Sequence, residues 1–495
     1  MKKILLIICA ALLITGCGVE GKQINSIDDL KTARIGAWPG GAYEIKAREV
    51  LPEAQFVGLD FISDLVQNLK QHKIDAFVLG KAYVDNLKFE GVDVDYLPQS
   101  LGDVPISYIF PKNERGQKLC NQMNEFISQV EANGELDALK TKWLQSDESK
   151  RTFTKSNLSG ENGTLKICTD AQNSPFDYLR ERQVVGFEVE LIDKFCAAYG
   201  YDYEIKMDVF ETMLTNVTLG KVDVGMDGIE ILPERQKNML FAKPIDVEQT
   251  VAVINSKTSS DTTLAGRIKT SLIDEDRWKM ILEGASITLT ITIASIVFGT
   301  LLSFAVYMIY REGNRRVNYI IDAIHRTLQG VPTMVMLLFF YYTVFSNINL
   351  PASVTAVVVF SIVLSITVFA LLKDGAQSIA RGQTEAALSL GFSERRAFVK
   401  FILPQIVRNL FSQYQVALNI TLMETAIVGY IAVQDLTRMA DLIRARTYDA
   451  FIPIITITIV YLVLSRLLLM ITDWTARRIN PKNRSREKIL KGVKL

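Results

Sequence analysis

Apolar residues are spread along the 495-residue chain in two unlike ways. From about residue 20 to 278 they form short runs broken by charge every few positions, and beyond 278 they gather into long runs. In the first part, a strand pattern over 33–36 leads into "WPGGAYEIKAREVLP", a glycine turn followed by a helix. The stretch "AQFVGLDFISDLVQNLKQHKIDAFVLG" alternates, takes helical spacing through Ile62, Leu65 and Leu69, and returns to a buried strand over 74–79. After the extended "PISYIFPK" come two helical segments, through Met123, Phe126, Ile127 and Val130 and through Leu136, Leu139 and Trp143. A second strand and helix series runs "TLKICTD", "VVGFEVELIDKFCAAYGY", "YEIKMDVFETMLTNVTLGKVDVGMDG" and "QTVAVIN". Strands alternating with helices predict parallel sheets. Between the series, "QSDESKRTFTKSNLSGENGT" has no residues from which to build an apolar face and reads as a polar linker.

The long runs fall at roughly 281–310, 331–346, 353–372 and 451–471, with a more polar fifth at about 406–433 that holds Asn419, Thr421 and Glu424. A bilayer core takes about 20 apolar residues, so five spans are predicted, the short second one drawing on its flanks. Lysine and arginine bias places "YREGNRRVNY", the segment 373–408 and the tail "ARRINPKNRSREKILKGVK" on the cytoplasmic side. The loop over 346–351 has no basic residue and belongs outside. By parity "QDLTRMADLIRARTYD" also falls outside, although it carries three arginines.

Composition agrees with this division, at 49% hydrophobic and 22% charged overall. With 55 basic and 54 acidic residues the net charge is +1, which implies no polyanion-binding surface and points away from a nucleic-acid partner. His72 and His325 are solitary and no CxxC occurs, so no metal site is expected. Cys120, Cys168 and Cys196 read as small buried thiols, with one disulfide as the alternative. The start, "MKKILLIICAALLITGCG", has a basic end, a short apolar core and small residues before a cysteine, a secretory signal over 1–17. Its "LITGC" resembles the lipobox of bacterial lipoproteins, which implies acylation of Cys17; an uncleaved signal anchor is the alternative. Either one exports the domain beyond residue 17.

The segments "TDAQNSPFDY", "VGFEVELIDKF" and "MDGIEILPERQKNMLFAKPI" resemble the first lobe of the bacterial extracellular solute-binding proteins for polar amino acids (family 3 type). "IDDLKTARIGAWPGGAYE" and "KIDAFVLG" resemble the second lobe, yet come first. The resemblance therefore implies a circularly permuted, two-lobed, type II periplasmic-binding-protein-like α/β domain. It consists of a second-lobe part over 18–147, the linker 148–163 and a first-lobe part over 164–256. Two half-domains that share no ligand are the alternative. By resemblance Arg235 takes the carboxylate-binding position, and Asp227, Gly228 and Glu230 take ligand-contacting places, with Asp170 and Asn173 beside them. The departures are Asn173 in place of the covering aromatic residue, Gly80 followed by Lys81 in place of the ammonium-holding acid, and Gly41 and Ala42 in place of two hydroxyl residues. Asp170, Asp227 and Glu230 against one arginine favour a cationic or amine-rich solute. The alternatives are surface acids or helix caps, or a site that has lost its ligand.

After an amphipathic connector over 257–279, the membrane part extends over 280–476, with a basic tail over 477–495. Its loop over 373–405 contains "GQTEAALSLGFSERRAFVKFILPQ". This resembles the EAA loop of ATP-binding-cassette importer permeases, carried by Glu385, Ala386, Ala387, Gly391, Ile402, Leu403 and Pro404, with Phe401 where isoleucine is common. A short helix, a glycine turn and a second helix ended by proline make a projecting knob. "DGAQSIARGQTEAALSLG" and "ETAIVGYIAVQDLTRMA" further resemble the polar-amino-acid branch of these MetI-like, all-α permeases. The resemblance implies a multi-pass protein of the bacterial inner membrane, with its binding domain outside the cytoplasm, paired with itself or a related permease and docked on a separate ATPase subunit. No GxxxxGK followed by Ser or Thr occurs, so ATP belongs to that partner and no cofactor is expected on this chain, which is not itself an enzyme. Glu424 either lines the solute path or pairs structurally. A regulatory fused domain and a ligand-gated channel or sensor are the competing functions; the second lacks a filter such as TVGYG.

Overall fold

The computed structural model describes residues 24–256, 263–346, 348 and 350–479. The signal with Cys17, and the tail from 480 onward, lie outside the described residues. The chain divides into two compact units, Met1–Asp276 with Leu442–Pro453, and Arg277–Asp441 with Ile454–Leu495.

The first unit opens with strands β1 (Arg34–Ala37), β2 (Gln55–Gly58), β3 (Ala76–Gly80), β4 (Val94–Tyr96), β5 (Gly102–Ile106) and β6 (Ile109–Pro111). Past residue 163 come β7 (Thr164–Thr169), β8 (Gln172–Asn173), β9 (Asp177–Arg180), β10 (Gln183–Val185), β11 (Asp202–Met207), β12 (Val224–Gly225), β13 (Met239–Phe241) and β14 (Asp246–Asn255). One sheet has the order β2-β1-β3-β14-β4 with β5 along β14, a second has β11-β7-β12-β6-β13, and a small third has β10-β9-β8. Two strands are exchanged. β14 lies antiparallel to β3, β4 and β5, and β6 lies between β12 and β13.

The lobes are therefore not the sequence segments 18–147 and 164–256; each takes a strand from the other. The physical reason is backbone pairing. β6 is fully buried, and without it the two-residue β12 and β13 would leave unpaired N–H and C=O groups in the interior. The exchange interlaces the two sequence segments through both sheets. The helices Glu114–Ala132 and Glu135–Leu144 go with the second sheet: Cys120 donates to the Phe241 carbonyl at 3.4 Å, and Lys142 and Trp143 both reach Glu190. Asn113 caps the first of them through Gly116 N–H at 2.8 Å, and its stripe from Leu119 through Met123 and Ile127 to Val130 is buried.

The polar stretch after Leu144 is not a free tether. Arg151 is fully buried with its Nη1 donating to Asn86 Oδ1, and Phe153 and Leu158 pack against the core. A guanidinium with protein partners supplies the inward face that composition alone did not offer. Cys120, Cys168 and Cys196 are free and buried. Residues Leu442–Pro453 belong to this unit: Arg446 meets both carboxylate oxygens of Glu90 at 2.7 Å, Arg444 lies 3.9 Å over the Phe61 ring, and Tyr448 Oη accepts from Asn86 at 3.0 Å.

In the second unit, three helices are long and apolar enough to cross a membrane, and five such elements result if each of two bent pairs counts as one. The stretch 331–346 is not one straight helix. It forms a pair with Arg315–Gln329, bent by 102° where Gly330 and Pro332 interrupt the ladder. Helices Arg277–Glu312 and Ala352–Gln377 approach closely at Gly299, where a Cβ would lie 2.8 Å from the Ser361 carbonyl. Pro404 does not end a helix, as the sequence led one to expect. A wide turn over Phe398–Ile402, closed by Leu403 N–H onto the Phe398 carbonyl, puts Pro404 in the first turn of Leu403–Glu424, where its missing N–H costs nothing.

Candidate functional site

Within the first unit a cavity of about 130 Å3 lies between the two large sheets. Gly41, Tyr43 and Tyr83 come from the side of the first sheet, and Asn173, Asp227, Gly228, Glu230 and Arg235 from the side of the second. Six of the eight sequence-derived ligand residues thus meet at one cavity. Ala42, buried in the first turn of Ala42–Val50, and Asp170 stand behind it. Asn173 ties the acids together, donating to Asp227 at 2.7 Å and to Asp170 at 3.3 Å. Gly228 has φ +58°, and a Cβ there would strike Tyr83 Oη at 2.4 Å, so only glycine lets the lobes approach here.

Arg235 is already engaged. Its Nη1 donates to the Glu230 carboxylate at 2.5 Å and its guanidinium lies 5.2 Å from the Phe210 ring centroid. Lys81 turns away to Asp85 at 2.6 Å. At Gly80 a Cβ would meet Tyr43 Oη at 2.7 Å and Glu248 Oε2 at 2.8 Å. An acid nevertheless stands beside position 80, on β14, where Glu248 accepts from Ala82 N–H at 2.9 Å. Burial pushes the Glu248 carboxyl well above the usual range. Sequence reasoning missed Glu248, although its place on the buried face of β14 with Thr250 was a signal. It also missed the rings that replace the absent aromatic cover: Trp38 and Phe210, 5.5 Å apart, and Tyr83.

Behind the cavity Asp170, Asp177 and Asp227 offer oxygens within 4.8 Å of one another, the one group among the described residues that could hold a metal ion. Thr169 donates to Asp177, and Gly228 N–H donates to Glu188 at 2.8 Å. Burial, reinforced by the neighbouring acids, raises Asp177 and Asp227 well above the carboxylate range, and burial holds Glu188 up to about 8. Each shift favours the neutral form, which relieves the repulsion.

The loop residues form a second site in the other unit. Helix Arg381–Ser389 ends in paired bonds, Phe392 N–H to the Ala387 carbonyl and Gly391 N–H to that of Leu388, with Gly391 at φ +81°. Glu385 and Ala386 are exposed and Ala387 is buried. Leu390 is 76% exposed and Leu388 40%, an apolar tip with nothing over it among the described residues. Ala397, Phe398, Ile402 and Ile406 anchor the base of the loop beside Tyr307 and Phe369, while Leu403 is half-buried and Pro404 exposed. Glu424, half-buried, accepts from Thr333 Oγ1 at 3.0 Å and so joins the two bent helix pairs.

The model for bacterial extracellular solute-binding proteins, family 3, matches residues 165–408, a range that starts in β7 and runs on into the apolar helices. The L-cystine transport system permease protein TcyB of Bacillus subtilis (strain 168) is 24% identical over 44% of this chain and 94% of its own length. The arginine transport system permease protein ArtQ of the same organism is 28% identical over 40% of this chain and 92% of its own. A solved amino acid ABC transporter, crystallised with histidines, is 26% identical over 44% of this chain and 100% of its own, with a TM-score of 0.39. The two likenesses meet in one polypeptide: one to the bacterial extracellular solute-binding proteins of family 3, the other to permease proteins of amino acid transport systems.

Proposed function

We propose that this protein is the membrane subunit of an importer for polar amino acids or related small solutes that carries its own receptor. In this reading the N-terminal α/β clamp stands outside the cytoplasm, anchored through the signal region, and five spans come after it, each bent pair counting as one. The clamp closes on a solute and passes it to the spans. A separate ATPase docks on the knob around Glu385 to Pro404 and drives alternating access, in a homodimer or a pair with a related permease. The observation that carries the reading is the exposed Leu388 and Leu390 tip on a glycine-turned helix, beside transport-permease relatives. The arginines that break the charge rule support the orientation. Arg444 lies 3.5 Å from Asp64 and Arg446 is paired with Glu90, so acids of the exported domain neutralise them. The occupied Arg235 favours a second reading, in which the fused domain is regulatory and another receptor delivers solute.

Tagged full-length protein drawn from membranes in mild detergent is expected to bring an ATPase with it, and vesicles holding both to accumulate solute only when ATP is supplied. Uptake that proceeds with no ATPase present overturns the proposal. For Glu424, a path role predicts that Glu424→Gln slows uptake about 10-fold at normal membrane abundance, through loss of a charge facing the route. Full activity assigns the residue to the Thr333 contact alone.

A further inference from the structure

We propose that the cavity between the lobes takes a small organic cation without a carboxylate, an amine rather than an α-amino acid. This deepens, and rests on, the reading of the clamp as a solute receptor. Three places could receive a ligand carboxylate, and an acid of the protein stands at each. The Arg235 guanidinium is bonded to Glu230. At the N-terminus of the nine-residue helix Ala42–Val50, Glu230 Oε1 lies 3.6 Å from where a Cβ on Gly41 would be, and Gly40 N–H is bonded to Glu44 at 2.7 Å. At the N-terminus of Lys81–Phe89, Ala82 N–H is bonded to Glu248. An incoming carboxylate would have to compete at each of them for donors that a protein acid already faces, whereas an amine needs none of those donors.

What the cavity leaves open is acceptor and ring surface. Asp227 Oδ2 and Tyr43 Oη are buried without a hydrogen-bond partner, and both residues line the cavity. Glu211, Asp227 and Glu230 line it against Arg235 alone, so its wall carries an excess of acid. Trp38, Phe210 and Tyr83 add aromatic faces, which attract cations through the ring quadrupole. An ammonium donates hydrogen bonds and accepts none, so it suits acceptors of this kind.

The test uses the full-length chain in lipid nanodiscs, titrated calorimetrically with three pairs differing only in the α-carboxylate: cadaverine and lysine, putrescine and ornithine, agmatine and arginine. The amine of at least one pair is expected to bind about 10-fold or more tighter than its amino acid, since a desolvated carboxylate left without donors costs more than one decade. Asp227→Asn is expected to weaken the amine about 10-fold, and Glu230→Gln, which frees Arg235, to narrow the gap within the pair. An amino acid that binds as tightly as its amine overturns the inference and leaves the receptor reading standing. Heat from none of the six overturns both. Amine binding unchanged in both variants places the ligand elsewhere and likewise overturns the inference.

Discussion

Vesicles carrying Leu390→Asp protein with its ATPase are expected to accumulate solute about 30-fold more slowly than wild type, at unchanged protein abundance. The size comes from a docking hot spot, where losing a central apolar anchor costs about 2 kcal/mol or more. The fold is spared because Leu390 is 76% exposed and contributes little packing to its own chain. Gly391→Val tests the same device from the backbone. No atom lies within 4 Å of a Cβ there, so sterics from neighbours play no part, but φ +81° is a region a β-branched residue reaches only at about 1–2 kcal/mol of strain. Relief of that strain swings the Leu390 tip away from Ser393 and its helix, and uptake falls with it. Retention of the ATPase on a detergent-extracted column gives a second reading. Wild-type uptake by Leu390→Asp at normal abundance would remove the knob from the mechanism.

The knob was legible in the sequence because every part of it is local. A helix stop, a left-handed glycine and a capping Ser393 lie within a dozen residues, and each has a side-chain signature. The alternation of strands and helices in the first unit was legible for the same reason. The exchange of β6 and β14 was not, since the three-residue β6 has no period and both strands pair with partners more than a hundred residues away. The glycines and acids of the crevice were found by resemblance, but the Glu230 to Arg235 bond was overlooked. The two residues flank the turn at Pro233, five positions apart, so sequence alone put them within reach. Glu248 was hidden differently. It reaches position 80 only through the antiparallel register that sets Thr250 opposite Gly80, and that register is tertiary. Arg444 and Arg446 ran against the charge rule in the sequence because the rule counts loop charges and cannot see the acids, Asp64 and Glu90, that a folded domain sets against them.

Raising the pH from 5 to 8 is expected to lower the unfolding temperature of the first unit, and Glu188→Gln is expected to flatten that fall. Glu188 is held up to about 8 in the fold and titrates at about 4.3 when exposed. Between those values the folded chain keeps a proton that the unfolded chain has released, so stability declines as pH rises and the loss is complete above about 8. Asp177 and Asp227 are raised in the same direction by burial and mutual repulsion. Carboxyls with lowered pKa, such as Glu135 beside Lys194 and Asp202 beside Lys155, act with the opposite sign, but their window lies below pH 5. The net effect between pH 5 and 8 is therefore a loss of stability. Glu188→Gln keeps an acceptor for Gly228 N–H while removing the titrating proton, so it separates charge from hydrogen bonding. Fluorescence-monitored melts of full-length protein at fixed ionic strength provide the measurement, and equal melting temperatures at pH 5 and pH 8 would mean that the cluster is not desolvated. A bound ammonium should protect most at pH 8, where it takes the place of the missing protons, so the same melts with and without amine connect the buried acids to the ligand they favour.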